Sequence, residues 1–171
     1  MLADELRALQ APLKEKYKMQ PAQALVTLRA SGSLDASGVS CRVETGRALV
    51  EAGLHPATGG TGLQACSGDM LLEALAACAG VTLRAVATAL EIPVRGGTVQ
   101  IEGDLDFRGT LGVSKEARVG FQAIRLRLDL DSDATQDQLD TLLKLTERYC
   151  VVLQSLRSPP VISVTRVTSS P

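Results

Sequence analysis

Residues 70–90 read MLLEALAACAGVTLRAVATAL, and the fold turns on this stretch. Only Glu73, Thr82, Arg84 and Thr88 interrupt an otherwise apolar run of nearly membrane-spanning length. Those interruptions make it a core helix rather than a span. Ser67 or Asp69 can cap it by accepting from the free amides of its first turn. Pro93 stops it, and Gly96-Gly97 reads as a turn. A helix apolar on most of its circumference is expected to be packed on nearly all sides.

On the C-terminal side, Val99, Ile101, Leu105 and Phe107 alternate with Gln100, Glu102, Asp104 and Asp106, predicting a half-buried strand. Glycines 109, 112 and 120 mark a loop, and a second alternation follows, with Ile124, Leu126, Leu128 and Leu130 on one face. Such patterning favours antiparallel sheet with one solvated face. Thr135 and Gln138 form a capping-box pair ahead of a helix that should bury Leu139, Leu142, Leu143 and Leu145. Cys150 falls at the end of that helix or the start of a short one running to Leu156. Pro159-Pro160 breaks the chain before a last strand, Val161–Val167.

On the N-terminal side, Ala24–Leu28, Val39–Val43 and Arg47–Glu51 read as strands, followed by a Gly- and Pro-containing loop from His55 to Gly62. The chain opens with Leu2, Leu6, Leu9, Leu13 and Tyr17 at helical spacing, and Pro12 predicts a kink or a break in that helix. Strands and helices come in groups instead of strict alternation, so the class is α+β. The expected organisation is a helical extension over 1–20 and one domain over 21–171.

Hydrophobic residues are 45% of the 171, yet aromatics are only 2% and Trp is absent, so the core must be aliphatic. The formal net charge is −1, with the two signs interspersed and no basic patch interleaved with aromatics. Nucleic acid is therefore not an expected partner, and neither is a membrane. The opening MLADEL has no basic segment before its apolar residues, unlike a signal peptide, and a soluble cytoplasmic protein is expected.

Four cysteines, Cys41, Cys66, Cys78 and Cys150, are then expected to be reduced thiols. With no C-x-x-C and one histidine, His55, ligand spacing for zinc is lacking, and no metal or other cofactor is expected. Cysteine is the strongest nucleophile here once ionised, and a nearby cation or polar pocket promotes ionisation. Cys41 alternates with Val39 and Val43 and reads as core. Cys66 precedes the long helix but has no evident partner. Cys78 lies among Ala76, Ala77, Ala79 and Gly80, small neighbours that let another segment reach its sulfur. Cys150 follows Arg148 and Tyr149, a cation and a phenol.

The segment Leu71-Leu72-Glu73-Ala74-Leu75-Ala76-Ala77-Cys78 resembles the first cysteine motif of the OsmC/Ohr family, the osmotically induced and organic-hydroperoxide-resistance proteins. Arg148-Tyr149-Cys150-Val151-Val152-Leu153 resembles its second. Gly59-Gly60, the strand after the long helix and Pro160 to Val164 fit the same pattern, so the likeness spans roughly Ala24 to Val167. It implies an OsmC-like fold, mainly antiparallel, with the long helix at the centre of an intertwined homodimer. It also implies a two-cysteine peroxidase in the oxidative stress response. Cys78 would attack the peroxide, Cys150 would resolve the sulfenic acid as a disulfide, and an external dithiol such as a lipoyl group would reduce it.

Two departures bear on that implication. Where the family often carries Pro-Glu, its Glu fixing an arginine against the thiol, this chain has Ser67-Gly68-Asp69, and Asp69 is the shorter substitute. Where the family has Cys-Pro, this chain has Cys150-Val151, a loss of pre-organisation at a helix start. Arg29, Arg42 and Arg47 are all eligible as the activating arginine. Glu73 and Arg84 share a helix face and suggest a structural or interface pair, and His55 reads as a solvated loop residue. The competing function is a non-catalytic OsmC-like dimer that binds an apolar ligand or partner.

Overall fold

The structure, a computed structural model, describes residues 3–34, 41–43, 52–156 and 161–167. In chain order the elements are α1 (Ala3–Met19), β1 (Leu25–Leu34), β2 (Cys41–Val43), α2 (Ser67–Ala89), β3 (Val94–Asp106), α3 (Phe107–Thr110), β4 (Ala123–Ser132), α4 (Gln136–Tyr149), α5 (Val151–Ser155) and β5 (Val161–Val167). Short 3-10 turns lie at Pro21–Ala24 and Pro56–Thr58. The strands form one sheet in the order β2-β1-β3-β4-β5. The class is α+β, as the grouping of the elements predicts.

β1 and β2 pair antiparallel, with Leu34 opposite Cys41. β5 instead lies parallel to β4, with Arg125 opposite Val161 and Asp131 opposite Val167. A parallel partner needs a long crossover, and α4 and α5 supply it. The two clearest alternations behave as expected: Val99, Ile101 and Leu105 of β3 are buried, as are Ile124, Leu126, Leu128 and Leu130 of β4.

Gly96 and Gly97 are not a turn but part of β3. At Gly97 φ is +152°, and a Cβ would meet the Asp129 carbonyl oxygen and come within 3.1 Å of the Leu130 Cα. The glycine there permits close approach of β4, the other use of Gly in a strand. Pro12 does not break α1, which runs on to Met19. The expected strand at Arg47–Glu51 lies outside the described residues.

The described residues form two compact units. One draws on Met1–Leu28, Arg47–Met70 and Gly103–Ala123, the other on Arg29–Gly46, Leu71–Glu102 and Ile124–Pro171. In the first, Tyr17 is buried and its hydroxyl donates to the Ala57 carbonyl at 2.9 Å, tying α1 to the 3-10 turn. In the second, α2 buries Leu72, Leu75, Ala76, Ala79 and Leu83. Burying each such leucine contributes about 2 kcal/mol. Thr135 caps α4 in the capping box the sequence predicts, while Leu139 and Leu142 are buried and Leu143 and Leu145 only half-buried.

α2 is long and apolar enough to cross a membrane by length and composition alone, and 44% of its most apolar window is buried within the protein. It is not packed on nearly all sides within one chain, however. Leu71, Ala74, Val81 and Ala85 are exposed, with Cys78 half-buried among them. Their alternating spacing of three and four is that of a helix–helix seam.

Candidate functional site

Cys78 lies half-buried in the middle of α2, at the border between the face that Leu75, Ala79 and Leu83 commit to the core and the exposed stripe. Cys150 is wholly buried at the junction of two helices. It ends α4, its N–H donating to the Thr146 carbonyl at 2.9 Å, and it starts α5, its carbonyl accepting from the Gln154 N–H at 2.9 Å. Its φ of −70° and ψ of 105° depart from helical values and turn the chain between the two helices.

The second unit thus brings together the two cysteines that 71 residues separate (150 − 78 = 71 + 1). Both are free thiols. Burial pushes the Cys78 thiol up, but hydrogen bonds from the Val152 N–H, the Cys150 thiol, the Thr82 hydroxyl and the Val151 N–H outweigh it, and its pKa lies below the ordinary value. Cys150 moves the other way, to about 11, chiefly through burial and further through the negative charge of Cys78; N–H groups of Leu153 and Val152 offset only part of this. The two acidities are thus displaced in opposite directions, with Cys150 donating to Cys78.

No guanidinium among the described residues contributes to the Cys78 shift. Arg29 donates to Glu102 at 3.0 Å, and Arg125 donates to the other oxygen of the same carboxylate at 3.2 Å. The Arg42 side chain and all of Arg47 lie outside the described residues. Arg84 is buried and donates to the Val94 carbonyl at 2.5 Å, a tie between α2 and the start of β3.

In the other unit, Asp69 lies in the first turn of α2, and the titratable group that acts on it is His55. Burial raises the Asp69 carboxyl and His55 partly opposes that. His55 is therefore not a solvated loop residue. Its ring stacks on Phe107 with centroids 4.8 Å apart, and Nδ1 accepts from the Ala57 N–H at 3.0 Å. Burial lowers its pKa, with Asp69 acting in the opposite sense. A loop histidine and an aromatic fifty-two residues later (107 − 55 = 52) give no local pattern to read.

Cys66 is half-buried, and its carbonyl accepts the Met70 N–H at 3.1 Å. Only the backbone of Cys41 is described, in β2. The sequence reasoning missed Thr82, whose position one turn beyond Cys78 is a signal that could have found it. It also missed the amides of Val151 and Val152, for which no side-chain signal exists.

An α+β sheet protein with one free thiol on its longest described helix and a second, adjacent to it, at a helix junction is a paired-thiol protein. The chain belongs to the OsmC-like protein family, whose model matches residues 60–165 and so includes both cysteines. Among solved structures it is similar to an OsmC-like protein from Mycoplasma pneumoniae, at 16% identity and a TM-score of 0.56, covering 85% of this chain and 96% of that one. It is also similar to an OsmC-like hydroperoxide resistance protein from Jannaschia sp. CCS1, at 18% identity and a TM-score of 0.54, covering 81% and 91%. A third is an organic hydroperoxide resistance protein OsmC from Legionella pneumophila, at 18% identity and a TM-score of 0.54, covering 84% and 97%. At these identities the likeness shows the fold. No curated protein matches the chain.

Proposed function

We propose that the protein is a thiol-dependent peroxidase that reduces organic hydroperoxides through Cys78 and Cys150. The observation that carries this reading is the buried Cys150 thiol lying against the free Cys78 thiol of α2. Family membership supports a peroxide-related redox role, as do the hydroperoxide resistance proteins among its structural neighbours.

In the proposed cycle the Cys78 thiolate attacks the terminal oxygen of R–O–O–H. The O–O bond breaks, an S–O bond forms, and the alkoxide leaves and takes a proton from water. Cys78, now a sulfenic acid, has lost two electrons. The Cys150 sulfur, giving up its proton, attacks the Cys78 sulfur; a disulfide forms and water leaves. An external dithiol, of the lipoyl kind, returns two electrons and is itself oxidised to a disulfide. Burial of Cys150 and its hydrogen bond to Cys78 hold the resolving thiol where the sulfenic acid appears.

Leu71 and Val81, exposed on the same stripe of α2 as Cys78, place apolar surface beside the sulfur and favour an organic substrate over hydrogen peroxide by desolvation. The same stripe supports a homodimer in which a second copy covers α2. A non-catalytic binding dimer would also use that apolar stripe, but it leaves the paired thiols without a role.

The test is dithiothreitol-dependent consumption of cumene hydroperoxide and hydrogen peroxide, with Cys78→Ser beside the wild type. Turnover that is lost in the variant and faster with the organic peroxide is expected. A folded wild type that consumes neither peroxide would overturn the peroxidase reading in favour of the binding one.

A further inference from the structure

A buried hydroxyl with no hydrogen-bond partner destabilises the fold that encloses it, and such groups mark strain, bound solvent or chemistry. Thr146 in α4 carries one: the residue is 3% exposed, and its Oγ1 has no partner among the described residues. Other helical hydroxyls in the protein turn back on their own helix. Those of Thr88, Thr141 and Ser155 donate to the carbonyls of Arg84, Asp137 and Val151, each at 2.8 Å. Thr146 has the Leu142 carbonyl in the corresponding place and does not bond to it. The exception lies one turn ahead of Cys150, whose N–H donates to the Thr146 carbonyl at 2.9 Å. Side chains four apart on a helix share a face, with Cβ atoms about 5–6 Å apart, close enough for a hydroxyl to meet a sulfur. Both side chains are buried, that of Cys150 wholly. Burial holds the Cys150 thiol up at about 11, so at neutral pH its sulfur is protonated and offers a donor no charge.

We propose that the Thr146 hydroxyl is the donor to the Cys150 sulfur in the resolving step, turning onto it as negative charge develops there. In that step the Cys150 S–H bond breaks and its proton leaves with the Cys78 sulfenic hydroxyl as water. An S–S bond replaces the S–O bond, Cys150 being oxidised as the sulfenic sulfur is reduced. While the proton departs, the Cys150 sulfur is partly thiolate in a dry site, where a hydrogen-bond donor counts for most. Threonine in a helix has two accessible side-chain positions, so the hydroxyl reaches the sulfur by one rotation. An interaction absent in the resting protein and made in the transition state lowers the barrier by its full strength. A hydroxyl idle at rest therefore serves resolution better than one already bonded. The inference deepens the peroxidase reading, resting on it for the sulfenic acid but not for the attack by Cys150.

The experiment follows closure of the Cys78–Cys150 disulfide in the reduced full-length protein, read by mass after an acid quench. Closure is started with one equivalent of cumene hydroperoxide, or with one equivalent of dithiobis(nitrobenzoate), which caps Cys78 with a thiol that Cys150 can displace. Thr146→Val has nearly the same shape and is expected to close about ten-fold more slowly by either route, for one lost hydrogen bond to a charged sulfur. Oxidation or capping of Cys78 should keep its wild-type rate, and Thr146→Ser should close as wild type does. The thermal midpoint of Thr146→Val should not fall, because the hydroxyl holds nothing in the resting fold. Wild-type closure in Thr146→Val would overturn the proposal, as would equal slowing of both steps or a wild type that never closes the disulfide. A midpoint that falls by several degrees would place the hydroxyl in a structural bond and overturn it too. The aromatic disulfide needs no peroxide chemistry. A protein inert to peroxides whose closure depends on Thr146 would therefore sink the peroxidase reading and uphold this one.

Discussion

Thr82→Val removes one donor from the Cys78 sulfur and little else. The hydroxyl lies one helical turn beyond Cys78 and hydrogen-bonds to it, and valine has nearly the same shape. A hydrogen bond to a charged group is worth about 1.5–3 kcal/mol. Cys78 is only half-buried, so solvent screening reduces this to about 1 kcal/mol. The thiolate fraction at neutral pH should fall about five-fold, and the rates of alkylation and of peroxide reduction should fall with it. The assay is alkylation of Cys78 against pH, with Thr82→Ser as the variant that keeps the donor. A five-fold deficit at neutral pH that closes at alkaline pH, and is absent in Thr82→Ser, is expected. A Thr82→Val protein that alkylates like wild type at neutral pH, or whose deficit persists unchanged at alkaline pH, would refute the assignment of Thr82 as a donor to the thiolate.

Further expectations can be checked with purified protein. Cys150 is held neutral in the folded state, with its pKa raised from 9.0 to about 11. The unfolded chain therefore releases this proton first, and the contribution of Cys150 to stability is full below about pH 9 and lost as pH rises through about 11. Urea midpoints should fall across that window in wild type, and the fall should be shallower in Cys150→Ala. At Gly97 an alanine Cβ would meet the backbone of β4 at a φ that side chains rarely adopt. Gly97→Ala should cost about 3 kcal/mol, lowering the thermal midpoint by about 10 °C in calorimetry. Val81→Glu puts a charge on the exposed stripe of α2 and should shift the proposed homodimer to monomer in sedimentation while leaving the far-ultraviolet circular dichroism unchanged.

Much of the fold was legible because periodicity is local. The alternations at Val99–Leu105 and Ile124–Leu130 fix which face of each strand is buried, and β3 and β4 bury those residues. The Thr135–Gln138 pair marked the start of α4 for the same reason, since capping is a matter of a few neighbouring residues. Where a residue's role depends on a distant neighbour, the local reading failed. Gly96-Gly97 has the look of a turn, and only the approach of β4 shows why a strand carries glycine at 97. His55 reads as a solvated loop residue until Phe107 and Asp69 are placed beside it.

By itself the sequence determined the α+β class and the long helix, because each is written in the spacing of adjacent side chains, and its resemblance to a known family singled out the two cysteine motifs. Tertiary structure alone decided that the Cys150 thiol meets Cys78, that Thr82 and two main-chain amides share the sulfur, and that β5 runs parallel to β4. The physical reason is that every residue other than proline carries the same N–H, so the sequence at 151 and 152 gives no sign of where those donors point. An acidity set by burial and by donors from another segment exists only once the chain has brought those segments together.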